Sequence, residues 1–222
     1  METKYFNPGC AVDVVIFTVE DGALKTLLIR RANEPFMGVP SLPGGFLHKG
    51  ESTLDAAERI LATKAGVKDV YLEQLYTFDK VDRDPRGQIL SVTYFALVPK
   101  GDIKIVESEN TEMPYLADAN SLPKLGFDHN EIVAYAIERL QAKIEYTNII
   151  YSLLPKKFSL TELQTMYEIV LGKKIDKRNF RKKWKELDLL KVTSSFSKGG
   201  RQRPARLYEF KSKKPAELKK FF

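Results

Sequence analysis

Twenty of the 36 lysines and arginines fall in the last 72 residues of this 222-residue chain. Residues 1–150 carry 16 basic and 22 acidic side chains, a net of −6, whereas residues 151–222 carry 20 and 7, a net of +13. Domains usually run about 100–200 residues, and the charge change divides this length into an acidic module and a smaller basic one. A basic module of this kind points to nucleic acid or an anionic surface as its partner. The alternative on charge alone is a solvated, lysine-rich helical tail. The apolar (43%) and charged (29%) fractions exclude wholesale disorder. No uncharged apolar run approaches the roughly 18 residues of a membrane span, so no membrane partner is expected. The N-terminus lacks the basic-then-apolar layout of a signal peptide. Cys10 stands alone beside His48 and His129, which speaks against a disulfide framework, a cysteine zinc cage or a histidine-rich metal site. A cytoplasmic chain without metal or cofactor is the resulting expectation.

The acidic half reads as mixed α/β. Ala11–Val19 is apolar and β-branched, Asp21-Gly22 signals a hairpin, and Leu24–Ile29 returns as a second strand. Tyr71–Phe78 and Leu90–Val98 are further strands, separated by the turn-forming Asp82-Arg83-Asp84-Pro85-Arg86-Gly87. Between the pairs, Ser52 to Ala65 forms a helix capped by Ser52 or Thr53 and ended by Gly66. A helical wheel places Leu54, Ala57, Leu61 and Ala65 in its buried stripe.

Leu42-Pro43-Gly44-Gly45-Phe46 precedes that helix. Gly45 is followed after five residues by Glu51 and after seven more by Arg59, and Gly66 stands 21 positions beyond Gly45. This spacing resembles the Nudix box, the loop–helix–loop of hydrolases that cleave nucleoside diphosphates linked to another group. In those enzymes glutamates after the arginine hold divalent metals, usually magnesium, and such hard cations need clustered carboxylate oxygens. The matching positions here are Ile60, Thr63 and Lys64, expected on one face beside the buried stripe. Glu58 is placed close to that stripe, and Glu51 at its box position braces the loop. An apolar group, a hydroxyl and an ammonium do not bind magnesium, so the resemblance implies a pocket that binds its ligand without cleaving it. Anion-binding groups persist nearby: Arg30 and Arg31 at the end of the second strand, Arg83 and Arg86 in the later loop, and the exposed backbone of Gly44-Gly45. With Phe46 and Glu51 these are the candidate effector-binding residues. Ion pairs of Arg83 and Arg86 with Asp82 and Asp84 in a solvated turn are the alternative.

The basic half has the outline of a winged helix. Ile144–Leu154 is expected as a helix stopped by Pro155. A second helix, Thr161 to Leu171, has Ser159 and Glu162 as a capping box and ends at Gly172. Asp176 then caps a third, Lys177–Leu190, whose Phe180, Trp184 and Leu187 share an inward face. Opposite them lie Arg178, Lys182 and Lys185, flanked by Asn179 and Arg181, the kind of face that major-groove reading requires. Lys191–Phe196 and Ala205–Phe210 read as two strands joined by a glycine-rich tip bearing Lys198, Arg201 and Arg203. Such a wing lies along phosphates or enters a minor groove. Together with Lys174 and Lys177 these are the candidate DNA-binding residues. The tail from Lys211 is expected to fray.

Taken together, the chain resembles the Nudix-related transcriptional regulators (NrtR-like proteins). The match is carried by Leu42–Phe46, by Tyr76-Thr77-Phe78 with Asp82–Gly87, and by Phe127-Asp128-His129. In the second half it is carried by Lys143–Asn148, Asp176–Arg181 and Arg203–Tyr208. The resemblance implies an α+β chain with a Nudix-type α/β/α sandwich over residues 1–142 and a winged helix-turn-helix over 143–222. It further implies a homodimeric bacterial repressor that binds double-stranded operator DNA and senses a small effector, ADP-ribose or a related nucleotide. Relatives of this architecture respond to sugars such as arabinose or xylose. The competing readings are an active hydrolase of ADP-ribose and an RNA-binding protein, the latter opposed by the lack of exposed aromatic platforms in the basic half.

Overall fold

The computed structural model describes residues 6–104, 111–197 and 204–218. The wing-tip residues Lys198, Arg201 and Arg203 lie outside the described residues. The chain forms two compact units, one of residues 1–18, 25–98 and 102–137 and one of residues 19–24, 99–101 and 138–222.

The first unit is built on a mixed sheet. Strands β1 (Gly9–Glu20), β2 (Ala23–Arg31), β3 (Pro40–Ser41), β5 (Tyr71–Phe78) and β6 (Ile89–Leu97) lie in the order β3-β2-β1-β6-β5. The short β4 (Gly44–Phe46) pairs with β1, and β7 (Thr111–Asp118) pairs with β2. Strands β1 and β6 run parallel, with Asp13 beside Thr93. Asp21 and Gly22 both take positive φ (50° and 73°), the two-residue turn whose twist matches the flanking strands. Central β1 is buried continuously from Val12 to Thr18 because both faces of the sheet are covered. On one face Val12, Val14 and Ile16 pack with Ala56, Ala57, Ile60 and Leu61 of helix α1 (Thr53–Lys64). Asp13 lies on the other face, where His129, the first residue of helix α2 (His129–Ile144), approaches its carboxylate.

Helix α1 buries Ala57, Leu61 and Ala65 of the expected stripe and departs from it at Leu54. Ser52 caps it in a full capping box with Asp55. The buried face, however, begins at Thr53, whose hydroxyl meets Tyr94 Oη at 2.9 Å, and continues through Ala56, Ala57, Ile60 and Leu61. Leu54, expected inside, is exposed, as is Glu58, expected near the stripe. The small alanines mark the close helix–sheet approach, and the larger leucine drew the wheel away from it.

The second unit departs from expectation between 144 and 154. Ile144 is the last residue of α2, and Ile149–Leu153 form a short 3-10 turn instead of continuing an α-helix. Asn148 interrupts the helix because its side chain is committed elsewhere. Its Nδ2 donates to Lys214 O (3.1 Å), its Oδ1 accepts from Ala216 N (2.7 Å), and its own N–H donates to Ala216 O (3.2 Å). The segment expected to fray is therefore tied down, with Leu218 N donating to Tyr146 O.

Helix α3 (Leu160–Leu171) has the expected Ser159–Glu162 capping box and ends on left-handed Gly172 (φ 66°). Helix α4 (Lys177–Glu186) is capped by Asp176 and stops four residues sooner than expected, because Asp188 turns left-handed (φ 51°) and Leu190 opens β8 (Leu190–Phe196). Strand β9 (Arg206–Phe210) pairs with β8, and Phe158 bridges to Tyr208 as a third rung. Trp184 and Phe180 lie in the core as their spacing predicts, ringed by Tyr167, Phe158 and Phe210. Among the described residues no helix is long and apolar enough to cross a membrane.

Replacing Asn148 with Ala orphans the backbone groups of Lys214 and Ala216. The expected cost is about 1–3 kcal/mol in denaturant unfolding, with faster amide exchange at Ala216 than in the parent.

Candidate functional site

The parallel pairing of β1 with β6 brings Asp13 and Ser91 together at one end of the sheet, where Ser91 Oγ donates to Asp13 Oδ2 at 2.6 Å. Strand β4 passes so close that a Cβ on Gly44 would stand 2.0 Å from Asp13 Oδ1, so a side chain there would displace the carboxylate. A Cβ on Gly45 would meet open space. Arg83 Nη2 and His129 Nε2 both lie 3.7 Å from Asp13.

Arg83 is almost completely buried and forms a two-pronged pair with Asp128, Nε to Oδ2 at 2.9 Å and Nη2 to Oδ1 at 2.7 Å. His129 Nδ1 accepts from Leu42 N at 2.9 Å, which assigns the ring proton of a neutral imidazole to Nε2, on the Asp13 side. Burial lowers the His129 pKa from its ordinary 6.5, against the opposing pull of Asp13 and Asp128. This network forms the floor of a cleft lined by Asp13, Arg31, Gly44, Gly45, Phe46, Arg86 and Phe127.

At the mouth, two guanidiniums reach the ring of the left-handed Phe127 (φ 56°). Arg31 Cζ stands 4.8 Å and Arg86 Cζ 5.5 Å from its ring centre, and Arg86 also covers Phe46 at 4.9 Å. Asp84 grips Arg86 at 2.9 and 2.6 Å. Burial tends to raise the Asp84 pKa, but the Arg86 fork and backbone N–H outweigh it and hold the carboxyl below its ordinary value. Arg31 is anchored through its Nε to Pro35 O at 2.6 Å, and burial, then the facing Arg86, lower its pKa. Two planar cations over one aromatic ring can receive an anionic group together with a flat one.

Of the expected effector residues, Arg31, Gly44, Gly45, Phe46, Arg83 and Arg86 line this cleft. Arg83 pairs with Asp128 rather than with the neighbouring Asp82 or Asp84, so it supports the floor instead of turning to solvent. Arg30 and Glu51 do not line it. Arg30 points to Gly38 O and the Tyr115 ring, since neighbouring residues of β2 face opposite ways. Glu51 braces the box as expected: Arg59 holds it at 2.6 and 2.9 Å and the His48 N–H at 2.9 Å. The Arg59 bonds first, then the His48 bond, pull its pKa down to about 2. The sequence reading did not single out Asp13, and it named Asp84 only as an ion-pair partner in the turn, which it is, for Arg86. An aspartate inside an otherwise apolar strand such as β1 is the signal that could have marked Asp13.

The positions where a Nudix hydrolase holds its metal do not fit one here. Ile60 belongs to the core rather than to an open face beside it, Thr63 Oγ1 donates to Arg59 O at 2.8 Å, and Lys64 presents an ammonium. Among the described residues no cluster of three His, Cys, Asp or Glu side chains could hold a metal ion.

In the second unit Lys177, Arg178, Asn179, Arg181, Lys182 and Lys185 are all exposed on α4. Lys174, in the turn before it, pairs with Glu168 at 3.0 Å. Glu168 also accepts from Ile175 N and Gln164 Nε2, so this carboxylate, absent from the expected set, fixes the α3–α4 turn.

Fold and site thus define a Nudix domain followed by a winged helix. The family model of the NUDIX domain matches residues 8–136, and that of the NrtR DNA-binding winged helix domain matches residues 150–210. The ADPR-responsive transcriptional repressor NtrR of Acinetobacter baylyi is 39% identical over 213 residues, covering 94% of this chain and 84% of that protein. An ADP-ribose pyrophosphatase of Methanocaldococcus jannaschii is 36% identical over 129 residues, 58% of this chain and 73% of that enzyme. The crystal structure of Shewanella oneidensis NrtR complexed with a 27mer DNA superposes with a TM-score of 0.82 at 36% identity, over 91% of this chain and 93% of that one. The chain belongs to the NrtR family, in which a Nudix domain is joined to a DNA-binding winged helix.

A histidine held neutral in the fold binds its proton more readily once unfolded. Stability is therefore expected to fall as pH drops below 6.5. His129→Asn, less stable throughout, should show a shallower slope in urea midpoints between pH 7.5 and about 5.5.

Proposed function

We propose that this protein is a transcriptional repressor that binds operator DNA through its winged helix and senses ADP-ribose or a related nucleotide in a non-hydrolytic Nudix cleft. The observation that carries the reading is that Arg31 and Arg86 both reach the Phe127 ring, at 4.8 and 5.5 Å from its centre, beside metal positions that hold Ile60, Thr63 and Lys64. A diphosphate needs compensating positive charge, which a Nudix hydrolase takes from its metals. Guanidiniums supply it here without the Lewis acid that cleavage uses. The A. baylyi relative is named for its response to ADPR, and the S. oneidensis relative was crystallised on DNA. Both support the assignment of each half.

The functional division is placed at 142/143, and the active form is a cytoplasmic homodimer. Two-fold symmetry lets two α4 helices read half-sites about one helical turn apart, or a multiple of it. Arg31, Gly44, Gly45, Phe46 and Arg86 contact the effector, with Arg83 fixing the floor. Lys174, Lys177, Arg178, Asn179, Arg181, Lys182 and Lys185 contact DNA, continued by Lys198, Arg201 and Arg203 on the wing. Effector and operator are coupled by differential affinity for two arrangements of the dimer, typically about 1–3 kcal/mol. A pentose carries no anion for Arg31 and the Asp84-paired Arg86 to receive.

Thermal-shift titration with ADP-ribose, NAD, arabinose and xylose, first without metal and then with magnesium, tests the sensor half. At about 100 times its dissociation constant ADP-ribose should add roughly 2.7 kcal/mol of apparent stability without metal. Arg86→Ala should weaken binding by about tenfold or more. A shift with a pentose alone would transfer the protein to sugar regulation. AMP release with magnesium, the activity of a pyrophosphatase like the M. jannaschii relative, would overturn the non-hydrolytic reading.

The double variant Arg178→Ala/Lys182→Ala tests the other half. It should lose specific duplex binding in fluorescence anisotropy while keeping the parent's melting temperature, since both side chains are exposed. Unchanged affinity would remove α4 as the recognition helix.

A further inference from the structure

Strand β9 is regular, so Arg206, Tyr208 and Phe210 share one face of the wing hairpin. Phe210 shows which face it is, because its ring packs 5.7 Å from Trp184 of α4 and 5.3 Å from Phe158. Along this α4-facing side the helical core runs out before the hairpin does. Leu190 and Phe210 are half-buried, whereas Val192 and Phe196 are 50% and 54% exposed. The outermost rung, Phe196 opposite Arg206, overhangs the core. The sequence-based expectation that the basic half lacks an exposed aromatic therefore fails at Phe196.

That rung is ordered on both sides. Arg206 Cζ stands 5.5 Å from the Phe196 ring centre. Ser197 N donates to Ala205 O (2.8 Å) and Ala205 N donates to Ser197 Oγ (2.9 Å), closing the hairpin immediately beyond it. A guanidinium lying on a ring uses its flat face and keeps its N–H donors in plane at the edge. The Phe196 ring gives it an apolar bed. Phosphates are hydrated anions and gain nothing from such a bed. The minor groove of a duplex, walled by deoxyribose and most negative where A·T tracts narrow it, matches both the apolar ring and the planar cation.

We propose that Arg206, held on Phe196, reads the minor groove next to the base pairs contacted by α4, and so sets operator specificity there. The proposal rests on the DNA-binding reading above and adds two residues to it.

The test uses full-length protein and a duplex that the wild-type chain selects from a random library, followed by anisotropy titrations against that duplex, poly(dA-dT) and poly(dG-dC). Arg206→Ala should keep the parent melting temperature, lose about tenfold or more in affinity for the selected duplex, and lose its preference for poly(dA-dT). Phe196→Ala should follow the same direction. Arg206→Lys retains the charge but cannot stack as a plane, so it should restore the salt dependence and not the preference. Full recovery by Arg206→Lys would mean a phosphate contact and overturn the minor-groove assignment. Unchanged affinity of Arg206→Ala, with Arg178→Ala/Lys182→Ala inactive, would overturn this proposal alone. Failure of the wild type to enrich any duplex, or unchanged binding in both variants, would overturn the DNA-binding reading and this proposal together.

Discussion

The first unit depends on a buried ion pair. Removing a carboxylate and a guanidinium from water costs several kcal/mol per ion unless the geometry satisfies both. Arg83 and Asp128 meet that condition with two parallel bonds, and Asp13, Ser91 and His129 complete the surroundings. The pair joins residues 45 positions apart in the chain, linking the loop after β5 to the start of α2. His129, the next residue, then reaches the backbone of Leu42, at the head of the Gly44-Gly45 segment. One network of charges thereby sets the relative positions of three loops.

This support separates the roles of residues of one type. Arg83 is consumed by the floor, Arg59 by Glu51 and the box loop, and Arg30 faces away across the strand pleat. Arg31, tied to Pro35 O, and Arg86, paired with Asp84, reach the same Phe127 ring at the mouth. The box helix shows a similar reassignment. Its capping and bracing survive in Ser52, Glu51 and Arg59, while Ile60 has been taken into the hydrophobic core. A carboxylate cannot be placed in that apolar environment without heavy desolvation. Ile60 thus packs the helix onto the sheet at a position where the box resemblance calls for a metal-binding glutamate.

The second unit is held by aromatic packing rather than by charge. Trp184, Phe180, Tyr167, Phe158 and Phe210 meet in tilted and edge-on contacts, leaving the opposite side of α4 to its cations. Glu168 fixes the turn before α4 through Ile175 N, and Asn148 ties the chain after the wing. The short basic helix α4 is thus held by its buried Phe180 and Trp184 and by the fixed turn before it.

What the sequence determined by itself is whatever rests on local chemistry. The charge step separated two modules, the glycine spacing marked the box, and Ser52, Ser159 and Asp176 announced three helix starts because a cap bonds only two or three residues ahead. Phe180 and Trp184 were legible as core by their spacing of four. Tertiary structure alone decided the rest. Asn148 broke an apolar run because its partners lie 66 and 68 residues away. The inward face of α1 was chosen by Tyr94 across the sheet, and the arginines of the first unit were sorted by which carboxylate or ring each could reach. Side chains of one type carry the same charge and the same donors, so only the positions of their distant partners distinguish a structural arginine from one that faces a ligand.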